Sequence, residues 1–216
     1  MDPRQAMIDT IVEEARLTGA DTGRPRLAPR VLEAMAAVPR DAFVPDDLAP
    51  HAWDNRPLPI GDGQTISQPF IVALMTDLLD PEPGDRVLEV GTGCGYQAAV
   101  LSRLVAEVYT VEYLPELGRT AEERLAALGR DNVRVRVGDG CAGWPEAAPF
   151  DGIIVTAGAT RVPDTLVEQL APGARLVIPV GDGRFGQELR VVVADADGAP
   201  ETHSVLPVAF VPLRGG

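Results

Sequence analysis

Arg86-Val87-Leu88-Glu89-Val90-Gly91-Thr92-Gly93-Cys94-Gly95-Tyr96 decides how this 216-residue chain is read. A short apolar run ends in three glycines on alternate positions. A helical pattern follows at once, with Gln97, Ala98, Ala99, Val100, Leu101 and Leu104. Strand, tight turn and helix N-terminus in succession let backbone N–H groups and a helix dipole face a bound ligand. Glycine suits such a turn because it tolerates positive φ and lets a ligand lie against bare backbone. A dinucleotide fingerprint, G-x-G-x-x-G, requires glycine at the position held here by Tyr96. Glycines also serve strand-to-helix packing alone, so the turn by itself leaves a ligand site and a packing turn both open.

Composition narrows the class. With 45% hydrophobic and 24% charged residues the chain is globular, and its length suits one α/β domain with a full core, or one domain plus a modest extension. No apolar run approaches the roughly 18 residues of a membrane span, so no membrane partner is expected. The start, Met1-Asp2-Pro3-Arg4-Gln5, lacks the basic and apolar stretches of a secretory signal, and a cytoplasmic location is expected. Cys94 and Cys141 have no metal-type spacing, and no metal site is expected. A formal charge of −13 argues against a nucleic-acid partner, whose phosphates need Lys and Arg. All 19 basic residues are Arg, which excludes a Schiff-base or phosphate-loop lysine.

Before the glycine turn, Met7, Ile8, Ile11, Val12 and Ala15 form an apolar stripe at helical spacing over residues 4–17, and residues 19–26 read as a loop. Pro29 opens a second short helix with Val31, Leu32, Met35 and Val38 on one face. Residues 41–68 read as irregular, being dense in Pro, Asp and Gly; a structureless loop this long is usually functional or wrongly read. Pro69 then starts a third helix through Leu79. Ser67 sits at or just before that helix start, either as an N-cap or as a hydroxyl beside free N–H groups where a carboxylate is welcome.

After the turn, strands are expected at 108–112, 133–137, 151–156 and 175–180, with helices at 115–128 and 162–170, the latter closed by Pro172-Gly173. Two closing strands, 189–194 and 202–211, are joined by Asp197-Gly198. Alternation of this kind predicts a mainly parallel, seven-stranded sheet with helices on both faces and an antiparallel edge. Residues 1–80 are read as an N-terminal helical extension with a substrate-binding loop, and 81–216 as the ligand-binding α/β core.

Three carboxylates fall at or near the carboxyl ends of strands, where ligands of such sheets bind. Glu112 lies about 20 residues beyond the turn, where a carboxylate can accept ribose hydroxyls, and Tyr113 follows it. Asp139 could take an adenine amino group while Gly140 lets the ring approach. Glu89, two residues before Gly91, suits the amino-acid end of a cofactor. Each could separately be a turn or cap carboxylate; together they favour a nucleoside cofactor.

The Glu89-x-Gly91-x-Gly93-x-Gly95 form resembles the first motif of class I S-adenosylmethionine-dependent methyltransferases. Leu58-Pro59-Ile60-Gly61-Asp62-Gly63-Gln64-Thr65-Ile66-Ser67-Gln68-Pro69, Gly138-Asp139-Gly140, Phe150-Asp151-Gly152-Ile153-Ile154-Val155-Thr156 and Phe210-Val211-Pro212-Leu213 resemble, in the same order, the protein-L-isoaspartate O-methyltransferase family. Cys94 stands where that family often has Ser, and Trp53-Asp54-Asn55-Arg56 replaces a more usual Tyr-containing segment. The resemblance implies a Rossmann-like class I methyltransferase fold and methyl transfer from S-adenosylmethionine, without a metal, to the free α-carboxylate of L-isoaspartyl residues. S-adenosylhomocysteine would be the by-product, and the ester would close to a succinimide and hydrolyse in part to Asp. It further implies Ser67 as the active-site serine, Gln64, Thr65, Ile66 and Ser67 as substrate-binding, and Glu89, Gly91, Gly93, Gly95, Glu112, Tyr113, Asp139 and Gly140 as cofactor-binding. Damaged proteins and peptides are the expected partners, and a monomer is expected.

A carboxylate is already ionised at neutral pH and a sulfonium is an activated electrophile, so alignment and exclusion of water are what the protein must supply. Ser67 is accordingly read as orienting the carboxylate, and His51 and His203 as structural or exposed. Cys94 is read as a small filler of the turn, with a redox-sensing thiol as the alternative. Competing readings are a relative that methylates an ordinary Asp in a ribosomal natural-product peptide, a nicotinamide-dependent oxidoreductase, and a cofactor-binding module without catalysis. The chain ends at Gly216, too soon for the extension expected of the first, and Tyr96 disfavours the second.

Overall fold

The computed structural model describes residues 2–182, 186–194 and 200–215. Its centre is a seven-stranded sheet of β3 (Arg86–Val90), β4 (Glu107–Glu112), β5 (Val133–Val137), β6 (Phe150–Val155), β7 (Leu170–Val180), β8 (Gln187–Val193) and β9 (Glu201–Val208), in the order β5-β4-β3-β6-β7-β8-β9. The first five strands pair in parallel, and β7-β8 and β8-β9 are antiparallel. Fully buried strands read as apolar runs, and Val87, Leu88 and Val90 of β3 and Ile153, Ile154 and Val155 of β6 are buried. From β3 the chain winds outward to β5 and then returns to β6 on the other side of β3. That reversal opens a crevice beyond the carboxyl ends of β3 and β6, where open α/β sheets bind ligands.

Two apolar layers cover the sheet. One packs α1 (Pro3–Thr22), α2 (Pro29–Ala37), α3 (Pro69–Leu79) and α4 (Tyr96–Leu101) on one face. The other gathers Leu88, Phe150, Ile153, Leu166, Leu176 and Ile178 on the opposite face, beneath α6 (Asp164–Val167). Nearly every residue of α3 is buried, because it is sandwiched between α1 and α2 on one side and β6 and β7 on the other. α5 (Pro115–Ala127) lies beside β4 and β5.

The structure departs from the sequence expectation in four places. α1 runs through Gly19 to Thr22 instead of ending at 17, and Gly23, at φ 66°, closes it by donating to Gly19 O at 3.1 Å. Gly19 is needed inside this helix because a Cβ there would lie 2.5 Å from Pro25, where the chain folds back. Residues 41–68 are not structureless: 3-10 turns at Arg40–Phe43 and Asp46–His51 precede an antiparallel hairpin of β1 (Leu58–Gly61) and β2 (Gln64–Ile66). Asp62 and Gly63 turn that hairpin, both at positive φ, as a two-residue turn demands. The helix expected over 162–170 is only the single turn of α6, and Pro172-Gly173 lie inside β7 rather than after a helix. The register shifts between Phe150 and Gly152 opposite this stretch, a bulge that accepts both residues. Finally, β9 ends at Val208 and not at 211; the expected Asp197-Gly198 turn lies outside the described residues.

Candidate active site

The glycine turn follows β3. Gly91, Gly93 and Gly95 have φ of 100°, 54° and 91°, a region only glycine occupies freely. Gly91 is further confined by Thr156, at the end of β6, whose hydroxyl donates to Gly91 O at 2.6 Å; a Cβ on Gly91 would lie 2.5 Å from that hydroxyl oxygen. Glu112, last residue of β4 and 6% exposed, accepts from the Gly93 N–H at 2.7 Å and from the Leu114 N–H at 3.0 Å. One carboxylate thus holds both the turn and its own following loop, and each oxygen keeps a lone pair for a ligand hydroxyl.

Glu89 is fully buried in β3. Its Oε2 accepts from Thr110 Oγ1 at 2.6 Å, and Thr92 Oγ1 lies 2.7 Å from Thr110 Oγ1, so Thr92 donates to Thr110 and Thr110 to Glu89. Oε1 has no hydrogen-bond partner. Burial pushes the carboxyl up to about 8; the Thr110 hydroxyl opposes this and the Glu112 charge adds to it. A buried carboxylate with one bare oxygen is costly unless something in the neighbouring space meets it, and Glu89 lines the cleft above the turn.

That cleft brings together Gln64, Thr65, Ile66, Ser67, Glu89, Gly91, Gly93, Glu112, Tyr113 and Gly140. Hairpin β1-β2 brings in the first three, the carboxyl ends of β3 and β4 the next group, and residues 211–214 a further wall. Those last residues are held by main-chain bonds, Gly158 N–H to Val211 O at 2.8 Å and Leu213 N–H to Gly158 O at 2.9 Å. Gln187 grips Phe210 on both sides, accepting from its N–H at 2.7 Å and donating to its carbonyl at 3.2 Å.

Two expected residues stand outside the cleft lining. Gly95 is the N-cap of α4, and a Cβ there would press on Leu125 at 3.3 Å and Ala121 at 3.5 Å, so its smallness serves packing against α5. Asp139 accepts from the Cys141 N–H at 2.9 Å, opens a 3-10 turn, and borders an adjoining hollow with Leu213 and Gly215. Gly140 does line the cleft, yet a Cβ there would collide with Val90, so packing against β3 already requires glycine.

Ser67 lies in the lining but is not the N-cap of α3. Gln68 holds that position without a side-chain cap, and the Phe70 N–H is instead capped from a distance by Asn55 Oδ1 at 2.9 Å. Among the described residues nothing hydrogen-bonds the Ser67 hydroxyl. Asn55 Nδ2 donates in turn to Glu14 of α1, and Gln68 Nε2 donates to the same carboxylate at 3.3 Å. Arg40, fully buried, donates to the Ala52 carbonyl at 2.7 Å and the Arg56 carbonyl at 3.4 Å, and its guanidinium lies 5.0 Å from the Tyr96 ring centroid.

Sequence reading passes over Thr156, the Thr92-Thr110 pair, the 211–214 wall as part of the site, and the Asn55-Glu14 tie. The threonines carry a faint signal, being polar at buried strand ends. Cys94 is buried and its thiol is pushed up by that burial, which lowers its reactivity. His51 and His203 are exposed, 3.1 Å from Asp54 and 3.6 Å from Glu201 respectively. Among the described residues no group of three or more His, Cys, Asp or Glu could hold a metal, and no helix is long and apolar enough to cross a membrane.

Residues 20–216 match the family model described as protein-L-isoaspartate(D-aspartate) O-methyltransferase (PCMT). Protein-L-isoaspartate O-methyltransferase 2 of Syntrophobacter fumaroxidans is 56% identical over 213 residues, covering 99% of this chain and 86% of that one. A solved structure titled protein-L-isoaspartate O-methyltransferase is 28% identical with a TM-score of 0.84, over 98% of this chain and 66% of that one. A second, from Plasmodium falciparum in complex with S-adenosyl-L-homocysteine, is 23% identical with a TM-score of 0.77 over 95% of this chain and 97% of that one, and it supports the fold.

Proposed function

The chain belongs to the protein-L-isoaspartate(D-aspartate) O-methyltransferase family, and from that premise we propose that it methylates the free α-carboxylate of L-isoaspartyl residues in damaged proteins and peptides, using S-adenosylmethionine. The observation that carries this reading is the meeting of Ser67, its hydroxyl unengaged, with Glu89 and Glu112 in one cleft.

The residues present fit the methyl donor. Glu89 Oε1, buried and unpartnered, would be the acceptor for the ammonium of its amino-acid end. Glu112 would receive the ribose hydroxyls on the lone pairs that Gly93 and Leu114 leave free. The positive-φ turn at Gly91 and Gly93 would let the donor lie against backbone, and Tyr113 and Gly140 would border the adenine, with Asp139 and Gly95 supporting the walls. When bound, S-adenosylmethionine supplies an activated methyl group and leaves as S-adenosylhomocysteine.

Ser67 donates its hydroxyl to the substrate carboxylate and turns one oxygen toward the methyl group, while Gln64, Thr65 and Ile66 hold the peptide beside it. The N-terminus of the 11-residue α3 lies just beyond Ser67, and its partial positive charge favours the same anion. No proton has to be removed, because a carboxylate with an ordinary pKa of about 4 is ionised at pH 7. Orientation is the protein's contribution and is worth several kcal/mol. The methyl ester is then a good acyl group for the peptide's own backbone nitrogen, which closes the succinimide with loss of methanol.

In this reading residues 1–80 carry the peptide side of the cleft and 81–216 the donor side. Action as a monomer is part of the same proposal. A net charge of −13 supports protein substrates over nucleic acid, and a cytoplasmic site of action is proposed with it. The test is transfer of label from S-adenosylmethionine to paired isoaspartyl and aspartyl peptides of otherwise identical sequence. Strong preference for the isoaspartyl member is expected; comparable activity on both would sink the repair reading in favour of an aspartyl methyltransferase.

A further inference from the structure

Ser67 is a reactive-site hydroxyl with no side-chain anchor of its own, so its position must come from its neighbours. On one side, Ile66 is buried and paired with Leu58 across the hairpin. On the other, Gln68 and the first turn of α3 are tied to a carboxylate on a different element, Glu14 of α1. Asn55 is the centre of this tie. Its Oδ1 accepts from the Phe70 N–H at 2.9 Å, an otherwise unmet donor of the α3 N-terminus, and its Nδ2 donates to Glu14. The amide is therefore oriented unambiguously, with donor and acceptor each used once.

Asn55 is itself held. Arg40 bonds the carbonyls on both sides of it, at Ala52 and Arg56, and Trp53 lies under the Arg4 guanidinium of α1 at 5.1 Å. Neither Asn55 nor Glu14 lines the cleft. Glu14 is half-buried and gives both amide donors one charged acceptor, the stronger kind of hydrogen bond.

We propose that Asn55 and Glu14 are positioning residues of the methyl transfer: through Gln68 and the Phe70 N–H they set where the Ser67 hydroxyl stands relative to the substrate carboxylate. The proposal rests on Ser67 orienting that carboxylate. A small displacement at Ser67 would leave the donor side of the cleft unchanged and lower the rate of transfer.

Three variants test it with isoaspartyl peptide kinetics and calorimetry of S-adenosylhomocysteine. Asn55→Asp keeps the acceptor for Phe70 but loses the donor and sets a second carboxylate against Glu14. It is expected to lower kcat about tenfold, with the S-adenosylhomocysteine Kd within about twofold of wild type. Asn55→Asp combined with Glu14→Gln reverses the hydrogen bond, since the amide introduced on α1 can donate to the carboxylate introduced opposite it and still accept from Gln68. In that double variant kcat is expected to recover to within about threefold of wild type. Glu14→Ala, at a half-buried position of α1, removes the acceptor alone and is expected to lower kcat about fivefold even if Asn55→Asp folds poorly. Unchanged kcat in Asn55→Asp and Glu14→Ala, no recovery in the double variant, or loss of kcat only in step with donor affinity would overturn the proposal. Wild-type turnover on the same peptide, measured alongside, separates this failure from failure of the methyl-transfer reading.

Discussion

Replacing Glu89 by glutamine should make the protein more stable and its donor site weaker. The carboxyl sits at 0% exposure and is pushed up to about 8 from an ordinary 4.5, chiefly by burial. Over that interval the folded chain holds a proton that the unfolded chain has already released. Unfolding free energy therefore falls as pH rises from about 4.5 to about 8, then stays low. The full interval corresponds to about 5 kcal/mol, borne by the wild type at alkaline pH and absent from a neutral amide. The amide also keeps an acceptor for Thr110. At roughly 2–4 °C per kcal/mol for a chain of this size, the melting temperature of the variant should exceed that of wild type by about 10 °C or more at pH 9. The gap should shrink toward zero at pH 5. Donor binding moves the other way. Losing a charge-assisted bond costs about 1.5–3 kcal/mol, but at pH 7 the wild type must first expel a proton, which costs it about 1.4 kcal/mol. The net expectation is about 0.1–1.6 kcal/mol, an S-adenosylmethionine Kd weakened by up to roughly tenfold in Glu89→Gln, accompanied by loss of the proton that wild type releases on binding. Calorimetry in buffers of different ionisation enthalpy reads that proton directly. A melting-temperature difference that is flat from pH 5 to 9, with unchanged affinity and no proton release in wild type, would refute the reasoning.

Other expectations follow from the same geometry. Ser67→Ala should lower turnover on isoaspartyl peptide about 10-fold to 100-fold while donor affinity stays near wild type; parallel loss of affinity would place the serine elsewhere in the chemistry. Glu112→Ala strips the acceptor from the Gly93 and Leu114 N–H groups, so donor Kd should rise first, together with a stability loss of about 1–3 kcal/mol read by urea denaturation. Gly91→Ala places a Cβ 2.5 Å from Thr156 Oγ1 at φ 100°, and should cost about 1–3 kcal/mol and most of the donor affinity. Thr156→Ser, which keeps the hydroxyl, should be close to neutral in the same melt.

The parallel sheet is legible in the sequence because buried strands such as β3 and β6 are largely apolar, and because the strand-turn-helix signal at Gly91 to Tyr96 is local. The donor carboxylates are legible for the same reason: Glu89 and Glu112 sit at fixed distances from that turn. The hairpin at 58–66 escapes a sequence reading, although Asp62-Gly63 is a strong two-residue turn signal, because its strands are only four and three residues long. The α6–β7 boundary is misplaced because Pro172-Gly173 breaks helix and strand alike, and only the neighbouring β6 register shows that a bulge absorbs it. Asn55 cannot be found locally at all. Its partners stand 15 and 41 residues away, and its capping role exists only once α1, the 52–56 segment and α3 have come together. Ser67 is a mixed case: its nearness to a helix start is visible, but its freedom from the cap depends on that same distant amide.

Arg40 bears on how the protein wears out. Its guanidinium is sealed against Tyr96 of the glycine turn while it bonds the carbonyls of Ala52 and Arg56. Ala52 and Arg56 belong to the same segment as Arg40, so the guanidinium fixes the backbone on both sides of Asn55 from within residues 40–56 and meets the rest of the chain at Tyr96. Ageing at Asn55 would write the Asn55→Asp change into the chain itself, keeping the acceptor for Phe70 but losing the donor to Glu14, and would blunt each molecule rather than reduce their number.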